Sequence, residues 1–309
     1  MTTQSNTLPE PFESRGIAPA AMSTTRPLYW SVRRELWENR SIYIAPLAVA
    51  TLFLFGFMIS IIHLPAKMRA LSGLDLAQQR EAIAAPYDIS AALLMITQLL
   101  VAAFYCLDAL HSERRDRSIL FWKSLPVSDL TTVLSKTSIP LVVVPLVTFA
   151  VTVGLQFIML LLSSAVLLGS GLNPATLWTQ LSFVQMSLLL LYHLVTVHTL
   201  WPAPIYGWLM LVSGWARRAA LLWAVLPLVA IGVFEKIVFH TSYLAAILEK
   251  RISGGGTEAV TMPGSFPMDP TTHVTAGNFL TSPGLWIGLA VMALFLVAAV
   301  RLRRYQGPI

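Results

Sequence analysis

An all-α, polytopic membrane protein with six transmembrane helices is the fold class this sequence predicts, and three observations predict it. Only 12% of the 309 residues are charged while 56% are hydrophobic, and the mean hydropathy is +0.69; soluble domains carry about 25% charged residues. The apolar residues fall in runs of roughly 20 or more, enough to cross about 30 Å of hydrocarbon as helix. Within the runs polarity does not alternate, so the pattern is that of helices and not of barrel strands.

Taken in order, residues 1–27 are rich in Ser, Thr, Pro and Ala and read as a disordered tail. The first apolar run starts too late, near Ser41, for a secretory signal. Residues 28–40, LYWSVRRELWENR, form an amphipathic stretch. Leu28, Val32 and Leu36, with Tyr29 and Trp37, line one side of a helix, and Arg33, Arg34, Glu35 and Glu38 occupy much of the rest. Such a helix suits a membrane interface, with aromatics at headgroup level.

The six crossings are expected at about 41–64, 88–110, 138–168, 179–201, 219–239 and 284–300. Between 201 and 218 the prolines Pro202 and Pro204 disfavour a continuing helix. Either the fourth helix kinks and runs on to about 212, or a short interfacial piece follows it. Residues 65–87 are expected as a loop with a short helix, and 240–283 as a second loop that opens with the helix YLAAILEKR and continues through a glycine-rich stretch. Residues 306–309 are a short tail.

The loops carry charge unevenly. With the N-terminus inside, the inner segments hold fifteen Lys and Arg and the outer segments six. That bias places both termini in the cytoplasm. It also accounts for the formal charge of +6, so nucleic-acid binding is not expected. The one cysteine, Cys106, lies in an apolar run and excludes an internal disulfide and a cysteine-based metal cluster.

One inner segment is unlike the rest. Residues 111–130 read HSERRDRSILFWKSLPVSDL. Helical spacing joins Ile119, Trp122 and Leu125, so 111–125 is expected as one helix, broken by Pro126. Ser128 is placed to cap the next helix, with Asp129 favourable in its first turn. Helix, break, capped helix and membrane then form a short stiff unit joined directly to two crossings. An ordinary charged loop that fixes topology is the plainer reading of the same residues.

The stretch ERRDRSILFWKSLPVSDL resembles the segment between the second and third crossings of permease subunits of the type-2 ABC transporter family. There the usual form is an acidic residue and Arg, a Gly-Thr or Gly-Ser step, an apolar stretch, and Pro-Val/Ile-Ser. Glu113, Arg114, Ser118, Ile119, Leu120, Leu125, Pro126, Val127 and Ser128 match it. Arg117 stands where Gly is usual and Asp129 where Arg is usual. The layout is similar over about residues 28–305, though only 113–128 is sequence-specific.

The resemblance implies a permease domain over 28–305, with 111–136 as a cytoplasmic coupling segment. It implies export across a bacterial cytoplasmic (inner) membrane, driven by a cytoplasmic ATPase subunit, with a second permease chain as homo- or heterodimer partner. The residues implied in ATPase coupling are Glu113, Arg114, Arg115, Asp116, Ser118, Phe121, Trp122, Pro126 and Ser128. ATP and Mg would belong to the partner, since no G-x-x-x-x-G-K-[ST] string occurs in this chain; no cofactor, metal or catalytic residue is expected here.

Polar residues inside crossings are costly and are candidates for a substrate path: Gln98, Gln156, Gln185 and His193. The same residues serve equally as hydrogen-bonding glue between helices. Neither H-E-x-x-H nor G-x-S-x-G occurs. Two rival functions stay open: a scaffold or sensor whose inner segment docks a signalling protein, and a lipid-modifying enzyme using outer-loop residues such as Asp269 or His273.

Overall fold

The computed structural model describes residues 25–71, 73, 75–124, 127–252 and 276–305, and every regular element among them is helical. Six helical stretches are long and apolar enough to cross a membrane. The protein is therefore a multi-pass α-helical membrane protein. The first 24 residues, Leu125–Pro126, residues 253–275 (with Asp269 and His273) and 306–309 lie outside the described residues.

The amphipathic helix α1 spans Thr25–Glu38. After a break at Asn39–Arg40 comes α2 (Ser41–Ser60), prolonged by a 3-10 turn and α3 (Leu64–Leu71). The second crossing is longer than expected. Helix α4 runs Leu76–Asp108, 33 residues or about 50 Å, so most of the expected 65–87 loop is helix. Two local reasons account for this. The Asp75 carboxylate accepts from the Leu76 amide at 2.9 Å and starts the helix. Pro86, inside it, cannot donate to the Ala82 carbonyl, and the Lys67 ammonium donates to that oxygen instead, at 3.1 Å.

Two short helices, α5 (His111–Arg115) and α6 (Ser118–Ser124), follow. The third crossing is α7 (Asp129–Ser138), a π turn at Ile139–Val143 and α8 (Val144–Gly169). After the short α9 (Ala175–Gln180) the fourth crossing begins with α10 (Phe183–Val195). It passes a π turn at Thr196–Leu200 and continues as α11 (Ala203–Trp215). The kinked reading of 201–218 is thus the observed one. Pro202 leaves the His198 carbonyl without its helical donor, and the Tyr206 hydroxyl donates to it at 2.9 Å.

The fifth crossing is α12 (Ala220–Phe239); α13 (Tyr243–Ile252) and α14 (Ala276–Thr281) lead to the sixth, α15 (Pro283–Tyr305). Helices α11 and α15 run side by side in one direction. A methyl group at Gly207 would sit 3.2 Å from the Met292 Cα, so glycine is what permits this close approach. Arg251 ties the ends of both: it donates to the carbonyls of Trp201 at 3.0 Å and Gly284 at 2.6 Å, with its guanidinium 4.4 Å from the Trp201 ring centre.

Apolar packing concentrates in two layers. One joins Ile42, Tyr105, Leu110, Val133, Ile139, Tyr206 and Met210. The other joins Leu71, Tyr87, Leu94, Leu155, Met159 and Leu177. We refer to the ends beside the first layer, where α1, α5, α7 and the C-terminus of α15 meet, as the near face. Helix α12 joins the first layer through Ala224, its buried residue, with Ala220 packed beside it.

Candidate functional site

Five charged side chains meet at the near face. Lys136 of α7 donates to Glu35 of α1 at 2.7 Å and lies 3.2 Å from Glu113 of α5. The other Glu113 oxygen accepts from Arg303 of α15, and Arg303 Nε donates to Asp129 of α7 at 3.0 Å. Glu35, Glu113, Lys136 and Arg303 are each at most 6% exposed. Burying an ion costs several kcal/mol, and attraction repays this only when partners complete the hydrogen bonding. Here they do. The second Glu35 oxygen accepts from the Tyr105 hydroxyl at 2.8 Å. Every member has at least one opposite charge in contact, and the network spans four helices.

Local sequence explains how the members arrive. On α1, Val32 and Leu36 pack into the near-face core, and Glu35, about one turn after Val32 and next to Leu36, is carried inward with them. Tyr29, Trp30 and Trp37 are 60%, 59% and 70% exposed, so the aromatics do not share the apolar side as expected but point outward. Arg33 lies 5.3 Å from the ring centres of both tryptophans.

A second set of contacts fixes the start of α5 to the end of α11. The Ser213 hydroxyl accepts from the Leu110 and His111 amides, both at 2.9 Å. Arg114 donates to the Gly214 carbonyl at 2.6 Å, and the His111 ring bonds the Ala216 carbonyl at 3.1 Å. The cationic Arg114 thereby answers carbonyls at the negative end of the α11 dipole.

The expected single helix over 111–125 is instead two. Arg117, with φ of 58°, stands between them in the left-handed region, which costs an ordinary side chain about 1 kcal/mol. This turn separates two groups of the expected coupling residues. Glu113 and Arg114 point inward and are 5% and 7% exposed. Arg115 and Asp116 are outward, with side chains 60% and 61% exposed. Phe121 and its neighbour Leu120 are 59% and 58% exposed, while Ile119 is buried. Ser118 is half-buried, its hydroxyl 3.4 Å from the Glu113 carbonyl. Ser128 caps α7 as expected, accepting from the Thr131 amide at 3.1 Å. The Trp122 side chain and Pro126, with the break assigned to it, lie outside the described residues.

The candidate path residues do not behave as one group. Gln98 is fully buried and neither amide atom has a partner. Gln156 donates to the Tyr87 carbonyl at 3.3 Å, and its oxygen has no partner. His193 bonds the Leu189 carbonyl at 2.9 Å. Gln185 is exposed and accepts from Ser182 at 2.8 Å. Sequence reasoning missed Glu35, Lys136 and Arg303. The available signal was the helical register of Glu35 between two apolar residues.

Among the described residues no group of three or more His, Cys, Asp or Glu is arranged to hold a metal ion. In comparison with known proteins, no family model matches this chain, and neither a curated protein nor a solved structure does. What fold and site define together is a multi-pass helical membrane protein with a buried ionic hub on one face.

Proposed function

We propose that this chain is the membrane-spanning permease subunit of an ATP-driven exporter of the type-2 ABC class, working with a separate ATPase and a second permease chain. The observation that carries this reading is the linkage of α5. Its Glu113 is bonded to α7 and α15, and through Lys136 to α1. Its neighbours His111 and Arg114 are bonded to the end of α11. A displacement of α5 therefore displaces the near-face ends of the third, fourth and sixth crossings together. The outward-facing Arg115, Asp116, Leu120 and Phe121 give an ATPase a mixed charged and apolar surface on which to act. The left-handed backbone at Arg117 supports the resemblance independently, because that family usually has Gly there and Gly adopts this conformation without strain.

In this reading the near face is the inner face of a bacterial cytoplasmic membrane, where the positive-charge bias puts it. ATP and Mg bind to the partner. ATP binding favours one arrangement of the crossings and hydrolysis releases it.

The test is to purify the chain from its native membrane and measure nucleotide hydrolysis by what accompanies it. Phe121→Asp with Arg115→Glu abolishes association of the ATPase. Glu113→Gln leaves the ATPase bound but removes the change in hydrolysis that the permease imposes. A fully active preparation free of any nucleotide hydrolase would overturn the proposal. A bound partner that neither hydrolyses nucleotide nor responds to it would point to the scaffold reading instead.

A further inference from the structure

The outward side of α1 is a surface that the hub does not use. The helix period of about 3.6 residues gives α1 three sides. Val32, Glu35 and Leu36 turn toward the core and the hub. Arg34 and Glu38 pair on a second side at 2.7 Å. Tyr29, Trp30, Arg33 and Trp37 share the third, and all four are exposed. The Arg33 guanidinium lies 5.3 Å from the ring centres of Trp30 and Trp37, and the Tyr29 ring meets Trp30 edge-on at 5.6 Å. Both carboxylates of α1 are already taken, Glu35 by Lys136 and Glu38 by Arg34. Among the described residues Arg33 therefore has no ion-pair partner, and neither indole N–H has a hydrogen-bond acceptor. The unused groups around this lone positive charge are N–H donors, and the Tyr29 hydroxyl can donate as well. Such a set calls for an anionic oxygen.

Position says where that oxygen comes from. Asn39 and Arg40 alone separate α1 from α2. Along α2 the exposed residues Ile44, Leu47, Leu52 and Phe55 are apolar, so this crossing meets lipid, and α1 lies where it leaves the hydrocarbon. Exposed Trp and Tyr at that depth sit among lipid headgroups. A guanidinium binds phosphate through paired N–H groups and stacks on aromatic faces. We infer that Arg33, set between Trp30 and Trp37, binds the phosphate of an anionic phospholipid headgroup at the near face. A zwitterionic head is the weaker ligand, because it carries its own cation beside the phosphate. This site does not depend on the export reading.

The test uses the full chain in dodecylmaltoside micelles with phosphatidylglycerol that carries a photoreactive diazirine near the head of one acyl chain. After illumination the labelled peptides are mapped by mass spectrometry. Saturable labelling of residues 25–40 is expected. Unlabelled phosphatidylglycerol competes, and phosphatidylcholine competes about fivefold more weakly. Arg33→Gln weakens the labelling about fivefold, the weight of one basic residue at an anionic lipid surface. Arg80→Gln, near the start of α4 and far from the near face, leaves it unchanged. Equal competition by phosphatidylcholine or an undiminished signal in Arg33→Gln would overturn the site. So would displacement by inorganic phosphate at concentrations comparable with the lipid, which would show a site for free anions. Absence of saturable labelling would also overturn it, and would leave an acidic protein surface as the occupant. If Arg33→Gln fails to fold, the competitor series on the unaltered chain decides.

Discussion

The near-face hub and the polar residues of the membrane interior handle buried polarity in opposite ways. At the hub, Glu35, Glu113, Lys136 and Arg303 carry full charges, yet each has an opposite charge in contact. In the interior, Gln98, Thr148 and Gln156 are neutral, yet each has a buried polar atom with no partner. Charge is the more expensive thing to bury, and it is the charged set that is fully answered. A paired network of this kind fixes the relative positions of helices. An unanswered amide holds nothing in place and leaves bonding capacity for something else.

The comparison can be broken or sharpened by substitution, and the largest effect is expected at its centre. Glu113→Ala leaves Lys136 and Arg303 buried without their shared carboxylate and should destabilise the folded chain by about 3–5 kcal/mol, measured by denaturation in detergent micelles. A loss under about 1 kcal/mol would mean the hub is wet. Gln98→Leu should go the other way. Replacing an amide that bonds to nothing with an apolar group of similar size stabilises by about 1–3 kcal/mol, the desolvation cost of an unsatisfied group. Destabilisation in the same assay would show that Gln98 has a partner.

Smaller effects test the turn beside the hub. Arg117→Gly relieves the left-handed strain and should stabilise by about 1 kcal/mol, seen as a raised unfolding midpoint. Ser128→Ala removes the α7 cap and should cost about 1 kcal/mol. The exposed Arg34–Glu38 pair, at 2.7 Å, is the contrast with the buried ion pairs. Glu38→Gln should change stability by less than about 0.5 kcal/mol, and a larger loss would place that pair in a desolvated setting.

The sequence was most legible where one physical demand dominates. Hydrocarbon requires long apolar helices, so six crossings could be counted from composition runs alone, and α12 and α15 begin within a residue of where the runs place them. The cap at Ser128 was legible because it depends on neighbours three residues apart. The far end of α4 was not, because Pro86 reads as a breaker until Lys67 is known to answer the Ala82 carbonyl. The passage through Pro202 hid for the same reason, its remedy being the Tyr206 hydroxyl.

By itself, then, the sequence determined the solvent of this protein and the number of crossings, since both follow from transfer free energies that add along the chain. Only the tertiary structure decided which charges are buried. Glu113 and Arg115 are two residues apart and chemically ordinary, yet one is enclosed and the other faces outward. That choice depends on Lys136 and Arg303, which lie 23 and 190 residues further along the chain, and a pairing between distant residues leaves no trace in local composition or periodicity.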